Sequence, residues 1–457
     1  MKDLAFLKPG TVAADALTID PRSFHVFSIA GAPLLFDRAT GALMQIDTSV
    51  HAVLSEVEKG RTWAEIGASA PDSGSEEVQA AKEFVEVLAT HGLFRFTEVD
   101  LQEQQQMIDG LLKHRPRRIQ MLMAQGCNLG CRYCYAWRNG SNQKNTLMSF
   151  PMAKAAVDFL VERSGSRGEL MVTFFGGEPF LNYRTVRKVV TYCRQIEETT
   201  GKKFIFEIIT NGTLMNDRRI EYLAANKFQV MLSLDGWEEM HNYNRPSMSG
   251  ENLHEVILTN AKKLNERFLE LGLPAIKVRA NLTAKYHDVP GVAEFFFSEG
   301  FKKIGIAAIE PLPHGYGNSS ALSEEQMDAL AGKSHRESLA AVEKLRKREK
   351  LTRVEKWTLE KYMTPPQPRA PKGLGCGVGR NTLIVDNKGY LYPCHRYEGM
   401  ENYVLGNVMT GYDDAAAAEY YHKVNRNTTN RCHSCWIRDY CAGGCASLLS
   451  AKQSHQV

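Results

Sequence analysis

Nine of the ten cysteines fall into two clusters, and no other feature of the sequence constrains the fold as strongly. The first cluster contains Cys127, Cys131 and Cys134, the second contains Cys376, Cys394, Cys432, Cys435, Cys441 and Cys445, and Cys193 stands apart. The N-terminal sequence lacks the apolar core of a secretory signal peptide, so we expect a cytoplasmic protein whose thiols stay reduced. Clustered cysteines in a reducing compartment indicate metal ligands rather than disulfides.

Composition excludes several classes of protein. The chain has 457 residues, of which 43% are hydrophobic and 24% charged, and this is ordinary globular composition. The net charge is only +4 with dispersed Lys and Arg, so we expect no nucleic-acid partner. No apolar run approaches the roughly 18 residues that cross a bilayer, so we expect no membrane segment.

A regular alternation of strands and helices follows residue 115. The predicted strands are 119–124, 169–175, 204–210, 229–234, 275–283 and 303–309, and helices are predicted near 151–164, 183–199, 216–226, 251–270 and 289–299. This pattern predicts an α/β fold with a parallel sheet and an active site at the carboxyl ends of the strands. Six units are too few for a closed eight-stranded barrel, so residues 115–322 should form a partial (β/α)6 TIM-like barrel.

Three other regions flank the predicted barrel. Residues 1–105 contain two or three short strands and two helical patterns, which favour a winged-helix-like module. Residues 323–371 read as a charged helical bridge followed by a proline-rich linker. Residues 372–457 are short-stranded and rich in cysteine, as expected of a domain that metal holds together.

The first cysteine cluster follows the first barrel strand directly. Gly126 and Gly130 give this loop flexibility, and its three thiolates can surround one metal cluster. Three cysteines leave one iron of a four-iron cluster without a protein ligand, so a small molecule can coordinate there. The alternative is a zinc knuckle that lacks its fourth ligand.

The motif Cys-x3-Cys-x2-Cys-aromatic at this position resembles the signature of radical S-adenosylmethionine (SAM) enzymes. The resemblance implies that a [4Fe–4S] cluster binds the amino and carboxylate groups of S-adenosyl-L-methionine and cleaves it to a 5′-deoxyadenosyl radical. Later strand ends carry further motifs in the family's order. By this resemblance the SAM contacts are Tyr133, Gly176, Gly177, Glu178, Asn211, Ser233 and Arg245. Glu178 would meet the amino group, Ser233 the ribose and Arg245 the carboxylate.

The second cysteine cluster resembles the SPASM extension, which carries auxiliary [4Fe–4S] clusters in radical SAM enzymes that act on peptides. By this resemblance, one auxiliary cluster would use Cys376, Cys394 and Cys445, and a second would use Cys432, Cys435 and Cys441. The seventh cysteine of the family pattern is missing after Cys445. A ligand beyond this sequence, His455 or water would complete the second cluster, and an open iron on the first could bind a substrate thiolate. One or two structural zinc sites are the alternative.

The identity of the residue that follows Cys394 distinguishes subfamilies of the enzymes that this sequence resembles. Sulfatase-maturing enzymes carry a proton-accepting aspartate there, whereas this chain has His395. The sequence Tyr-Pro-Cys-His is similar instead to maturases that form thioethers in ribosomal peptides of the ranthipeptide and sactipeptide type, or in a subunit of quinohemoprotein amine dehydrogenase. His395 and Asp235 are the candidate catalytic residues; a packed histidine and a SAM-contacting aspartate are the alternatives.

The resemblance therefore implies a maturase that joins cysteine sulfur to carbon in a cysteine-containing precursor peptide or small protein subunit. Its N-terminal module would bind a leader segment by strand addition, and a flavodoxin or ferredoxin would donate electrons. Other outcomes remain open, namely carbon–carbon cross-linking, epimerisation, dehydrogenation or the formylglycine formation of sulfatase maturation. The alternative outside enzymes is a zinc-containing peptide-binding adaptor.

Overall fold

The computed structural model describes residues 19–29, 31–69, 74–95, 101–113, 115–138, 146–309, 319–363, 379–424, 435–437, 440–441 and 444–447. The chain divides into two compact units. The N-terminal unit comprises 1–107, 365–375 and 425–444, and the barrel unit comprises 108–364, 376–424 and 445–457. The domain boundaries that the sequence suggests stay a prediction, and each unit is described by itself.

The N-terminal unit is built on a three-stranded antiparallel sheet in the order β1-β2-β3. Its elements are β1 Phe24–Ile29, β2 Ala32–Asp37, β3 Leu43–Gln45, α1 Thr48–Glu58, α2 Trp63–Ser69 and α3 Gly74–Thr90; α4 Leu101–Leu112 follows. Phe24, Leu35 and Leu54 are fully buried in its core. The strands and the two longer helices match the sequence prediction, whereas the short α2 and the helix α4 were not predicted.

Part of the second cysteine cluster belongs to this unit. The ring of Trp436 stacks on His25 with centroids 4.2 Å apart and meets Phe36 edge-on at 5.4 Å. Tyr440 contacts the same phenylalanine at 5.1 Å. Aromatic contacts therefore hold the segment that carries Cys435 and Cys441 against the N-terminal sheet, which the sequence analysis did not predict.

The barrel unit contains an eight-stranded sheet in the order β11-β10-β4-β5-β6-β7-β8-β9. Its strands are β4 Arg118–Ala124, β5 Glu169–Gly176, β6 Lys203–Thr210, β7 Gln229–Ser233, β8 Lys277–Leu282, β9 Lys303–Ala308, β10 Thr382–Val385 and β11 Leu391–Tyr392. The strands from β4 to β9 are parallel throughout, so the predicted α/β partial barrel is confirmed. Crossover helices connect these strands, as parallel pairing requires.

The five predicted barrel helices and the predicted helical bridge are present close to their expected positions, whereas three further helices, near residues 135, 240 and 420, were not predicted. In the barrel unit the helices are α5 Tyr135–Arg138, α6 Phe150–Ser164, α7 Tyr183–Thr200, α8 Asp217–Ala225, α9 Glu238–Asn244, α10 His254–Glu270, α11 Val289–Ser298, α12 Glu324–Arg346, α13 Arg353–Met363 and α14 Asp414–Val424. Ser149 caps α6 and Ser323 caps α12 by accepting backbone N–H groups, which is why both helices begin there. Among the residues described, no helix is long and apolar enough to span a bilayer.

Two strands beyond the predicted barrel extend its sheet. The buried run Thr382–Val385 pairs in parallel with β4, and β11 pairs antiparallel with it. A short hairpin, β12 Gly406–Asn407 and β13 Gly411–Tyr412, follows. The sequence analysis placed these residues in the cysteine-rich domain. In the structure, the first part of that domain therefore continues the barrel sheet.

Candidate active site

A cavity of about 410 Å³ opens at the carboxyl ends of the barrel strands. All three cysteines of the first cluster line it, and so do Cys394 and Cys445 from the second. Of the predicted SAM contacts, the cavity wall includes Tyr133, Gly176, Gly177, Asn211, Ser233 and Arg245. Residues that lie up to about three hundred positions apart in the sequence therefore line the same cavity.

Backbone hydrogen bonds hold the cysteine loop in place. Gly130 N donates to Pro246 O at 2.8 Å, and Arg132 N donates to Asn244 O at 2.9 Å. These bonds tie the loop to the segment that follows α9, the same segment that carries Arg245. This pairing could not be predicted, because no local pattern marks partners that lie more than a hundred residues apart.

The cysteine thiols fit an iron–sulfur cluster. Burial raises the pKa of the Cys127 thiol to about 12 and raises that of Cys131 as well, so both remain protonated until a metal displaces their protons. In the described part of the chain, no three His, Cys, Asp or Glu side chains converge as a single metal ion would require. Three soft thiols spread around one cavity suit a polynuclear cluster, in which each cysteine binds a different iron, better than one tetrahedral zinc.

Asn211 supports the cysteine loop from the end of β6. Its side-chain Nδ2 lies 3.6 Å from Cys127 Sγ and donates to Asn128 Oδ1 at 3.0 Å. Its Oδ1 accepts from Thr213 Oγ1 at 2.7 Å. Asn211 therefore contacts Cys127, a predicted cluster ligand, and also lines the cavity. The first contact helps to position the cysteine loop, and the SAM contact of Asn211 stays a prediction.

The carboxylate of Glu178 is fully buried behind the cavity wall. It accepts hydrogen bonds from Asn211 N at 2.8 Å, Thr210 Oγ1 at 2.8 Å and Phe180 N at 3.0 Å. Burial raises the pKa of Glu178 to about 7, partly offset by these donors. The cavity-lining residues do not include Glu178. Its observed contacts join the ends of β5 and β6, and its contact with the SAM amino group stays a prediction.

Gly176 occupies a position that no other residue fits. Its φ of +122° is unfavourable for L-residues, and a Cβ there would lie 2.3 Å from the carbonyl oxygen of Ala124. The next residue, Gly177, donates its N–H to that same oxygen at 2.7 Å. A glycine at this point therefore lets the second strand end close beside the first.

We expect Gly176→Ala to lower the free energy of unfolding by about 2–4 kcal/mol, from backbone strain together with steric overlap. Denaturant unfolding of anaerobically purified protein measures this loss. Gly168→Ala is the matched control, because no atom lies within 4 Å of its Cβ position, and it should change stability by under about 0.5 kcal/mol. Equal stability of the two variants would contradict the steric argument.

A buried ion pair shapes the wall opposite Glu178. Arg245 Nε lies 3.1 Å from Asp235 Oδ1, and the two side chains are 8% and 0% exposed. Tyr133 Oη donates to Asp235 Oδ2 at 2.7 Å, and Asn281 N donates to Oδ1 at 3.0 Å. Arg245 also lies with its Nη1 3.9 Å from Cys131 Sγ. Asp235 therefore holds Tyr133 and Arg245, which line the cavity, but is not itself a lining residue. The role of Asp235 as a base stays a prediction.

His395 lines the cavity beside Cys394. Its ring packs against Tyr135 at 5.1 Å and Phe175 at 5.3 Å between centroids. Burial, reinforced by the positive charges of Arg396 and Arg279, lowers the pKa of His395 to about 3. The imidazole is therefore neutral and packed, and it keeps a nitrogen that can accept a hydrogen bond.

The remaining predicted metal ligands are distributed between the two units. Cys394 and Cys445 are cavity residues of the barrel unit, whereas Cys435 and Cys441 belong to the N-terminal unit. Cys376, Cys432 and the alternative ligand His455 lie outside the described residues. The assignment of these cysteines to auxiliary clusters therefore stays a prediction.

Several cavity residues were not predicted. Gln120, Arg279 and Asn281 line the wall from inward-facing positions of β4 and β8. Glu398 is buried next to this region, accepts a hydrogen bond from Gln125 Nε2 at 3.2 Å, and has a pKa that burial raises to about 7. Polar residues at alternate positions of otherwise apolar strands were the signal that could have revealed Gln120 and Asn281.

A three-cysteine loop at the mouth of a partial barrel, beside most of the predicted SAM contacts, is the arrangement expected of an iron–sulfur enzyme that uses SAM. The Radical SAM superfamily matches residues 121–276, and SPASM, an iron–sulfur cluster-binding domain, matches residues 376–436. The chain therefore contains a radical SAM domain and a SPASM domain, as radical SAM enzymes that act on peptides do. Its cofactors are SAM and [4Fe–4S] clusters.

Known proteins resemble the chain over much of its length. It is 25% identical to the cysteine-type anaerobic sulfatase-maturating enzyme of Clostridium perfringens, over 72% of this chain and 88% of that protein. It is 25% identical to the radical SAM cyclopropyl synthase TigE of Paramaledivibacter caminithermalis, over 46% of this chain and 47% of TigE. The solved structure of native anSMEcpe with bound AdoMet and Cp18Cys peptide shares the fold, with a TM-score of 0.56 and 22% identity over 72% of this chain and 89% of that chain.

Proposed function

We propose that this enzyme joins a cysteine sulfur to a carbon atom in a cysteine-containing peptide or small protein subunit. The observation that carries the proposal is that Cys394 and Cys445 line the same cavity as the three cysteines of the SAM-binding loop. A substrate in this cavity would face both sets of thiolate ligands at once. The modification of proteins by the sulfatase-maturating relatives supports a peptide substrate.

The residues of the chain suit such a reaction. When bound, the clusters supply an electron for SAM cleavage and an iron that can hold a thiolate. Cys127, Cys131 and Cys134 would hold the first cluster, while Arg245, held by Asp235, would bind the SAM carboxylate. A substrate that fills the cavity would shield the radical from water, so that the target carbon is the nearest source of hydrogen.

Thioether formation removes one hydrogen atom from the carbon, which the deoxyadenosyl radical would take, and one proton from the thiol. It also removes one electron, for which the first auxiliary cluster would be the acceptor. His395, the predicted proton acceptor, lies beside Cys394 in the sequence, and its neutral imidazole can accept a hydrogen bond from the substrate thiol. Because burial lowers its pKa to about 3, loss of the thiol proton would depend on the iron that binds the sulfur. This assignment distinguishes the chain from sulfatase maturases, whose aspartate stands at the corresponding position by the family resemblance.

The expected product lacks two hydrogens and no longer has a free substrate thiol. We expect Cys394→Ala and Cys445→Ala to keep SAM cleavage but to lower cross-linked product by more than about tenfold, because only the auxiliary thiolate set is altered. Mass spectrometry after iodoacetamide treatment measures this product. Cys193→Ala is the control, since Cys193 is buried within α7 away from the cavity wall. Undiminished product from both auxiliary variants would overturn the proposal.

The alternative favoured by a specific relative is formylglycine formation, which the sulfatase-maturating enzymes suggest. The same mass spectra separate the two, because formylglycine formation from cysteine loses the sulfur atom whereas a thioether retains it. A carbon–carbon cross-link also loses two hydrogens but leaves the thiol open to alkylation. Epimerisation leaves the mass unchanged.

We further propose that the N-terminal unit recognises the substrate. Strands β1 and β3 form the two edges of its sheet, and the side chain of Glu58 already accepts from Val26 N of β1 at 3.4 Å. Strand β3 has no such contact among the described residues, so it is the edge that a leader segment would extend. The predicted cytoplasmic location suits a reduced, oxygen-sensitive protein with a ribosomally made substrate.

A further inference from the structure

A groove of about 720 Å³ on the outer surface of the barrel unit has no part in the site described above. Residues of α6, α7 and α8 line it, and four of them are aromatic. We call this surface the basic groove, because five cations line it: Lys154, Arg184, Arg187, Lys188 and Arg218. The lining includes no acidic residue.

The charge of the basic groove is largely uncompensated. Lys154 pairs with Asp158 at 2.7 Å, whereas the other four cations are exposed and form no ion pair with the described residues. Arg187 and Lys188 instead lie over the rings of Tyr222 and Phe150, at 5.7 and 5.5 Å from the ring centroids. The net charge of +4 for the whole chain gave no hint of this concentration.

The groove lies a short distance along the chain from the cysteine loop. Tyr183, which lines the groove, is separated from Glu178 by a single turn of 3-10 helix, Pro179–Asn182. Glu178 N donates to Gly126 O at 3.1 Å, next to Cys127. Five residues span at most about 18 Å, and a 3-10 turn spans less. Asn182 Nδ2 also donates to Met123 O at 2.9 Å, which ties the groove end of this segment to β4.

We propose that the basic groove docks the acidic one-electron carrier protein that reduces the SAM-binding cluster. SAM cleavage needs one electron at the cluster, and an external donor must supply it for the first turnover and whenever the electron released by the substrate is not returned. Transient redox complexes form small interfaces and depend on opposite charges for fast association. An uncompensated cationic surface beside the cysteine loop fits such a partner. The carrier loses one electron and the cluster gains it.

This inference rests on the radical SAM activity and not on thioether formation. Its first test is binding of oxidised flavodoxin to the holoenzyme, followed by flavin fluorescence at low ionic strength. We expect the triple variant Arg184→Glu, Arg187→Glu, Lys188→Glu to raise the Kd at least about tenfold and to flatten its salt dependence. Lys302→Glu with Lys303→Glu is the matched control, because these exposed lysines lie at the amino end of β9, opposite the cavity, and their Kd should stay within about twofold.

The second test compares electron sources. SAM cleavage driven by reduced flavodoxin should fall at least about tenfold in the triple variant at subsaturating carrier, while cleavage driven by dithionite should stay at the wild-type rate. The triple glutamine variant of the same residues should show the same pattern with a smaller change. An unchanged flavodoxin Kd overturns the proposal, and so does weaker binding of substrate peptide or duplex DNA with unchanged flavodoxin binding. Loss of the dithionite-driven reaction in the glutamine variant also overturns it, since the groove would then support the active site itself.

Discussion

Replacing Cys127, Cys131 and Cys134 together by alanine is expected to abolish SAM cleavage, with 5′-deoxyadenosine below detection. The three thiols line one cavity, and no other described cysteine except Cys394 and Cys445 reaches it. Without them, the cluster that binds SAM has no protein ligand. Chromatography of the reaction with dithionite under strict exclusion of oxygen measures the product.

Cys193→Ala provides the control for this experiment. Its thiol is fully buried in α7, so the variant should retain iron, brown colour and SAM cleavage. Detectable deoxyadenosine from the triple variant would show that another group holds the cluster, and the assignment of the cavity as the active site would then fail. Iron analysis separates this outcome from contamination with wild-type protein.

The second large effect concerns the buried ion pair. Asp235→Ala is expected to lower the free energy of unfolding by about 3–5 kcal/mol, because it leaves the Arg245 guanidinium buried without its counter-charge. Tyr133 Oη and Asn281 N lose their acceptor at the same time. Urea unfolding of the anaerobic holoenzyme, followed by circular dichroism, measures the loss.

Two further variants test the cause of that loss. Glu270→Ala removes an exposed partner of Arg267, 3.1 Å away, and should cost less than about 1 kcal/mol. The double variant Asp235→Leu, Arg245→Met removes both charges and should recover part of the stability lost by Asp235→Ala. A double variant less stable than Asp235→Ala would mean that the hydrogen bonds, and not the unpaired charge, dominate.

Much of the barrel could be predicted because its signals are local. The strands from β4 to β9 are apolar runs or, as in β8, alternate apolar with polar residues, and proline or capping residues mark several helix starts. The cysteine spacing and the motifs at the strand ends also predicted which residues would meet, since parallel strands bring their carboxyl ends to one edge. Tyr133, Ser233 and Arg245 are cavity residues for this reason.

The remaining features depend on contacts between distant residues. Glu178 and Asp235 carry the charges that suggest substrate contacts, but their carboxylates are turned into the protein by Asn211 and Arg245. Thr382–Val385 is only four residues long, and its sequence does not reveal that β4 is its partner. No local pattern distinguishes a carboxylate that faces a ligand from one that fixes a loop.

The contact of Trp436 with His25 and Phe36 has a consequence for the design of shortened or chimeric enzymes. Residues near the beginning and near the end of the sequence pack against each other in the N-terminal unit. Deleting the first hundred residues would therefore also remove the aromatic contacts that hold the segment with Cys435 and Cys441. A functional exchange between relatives must therefore transplant residues 1–107 and 425–444 together.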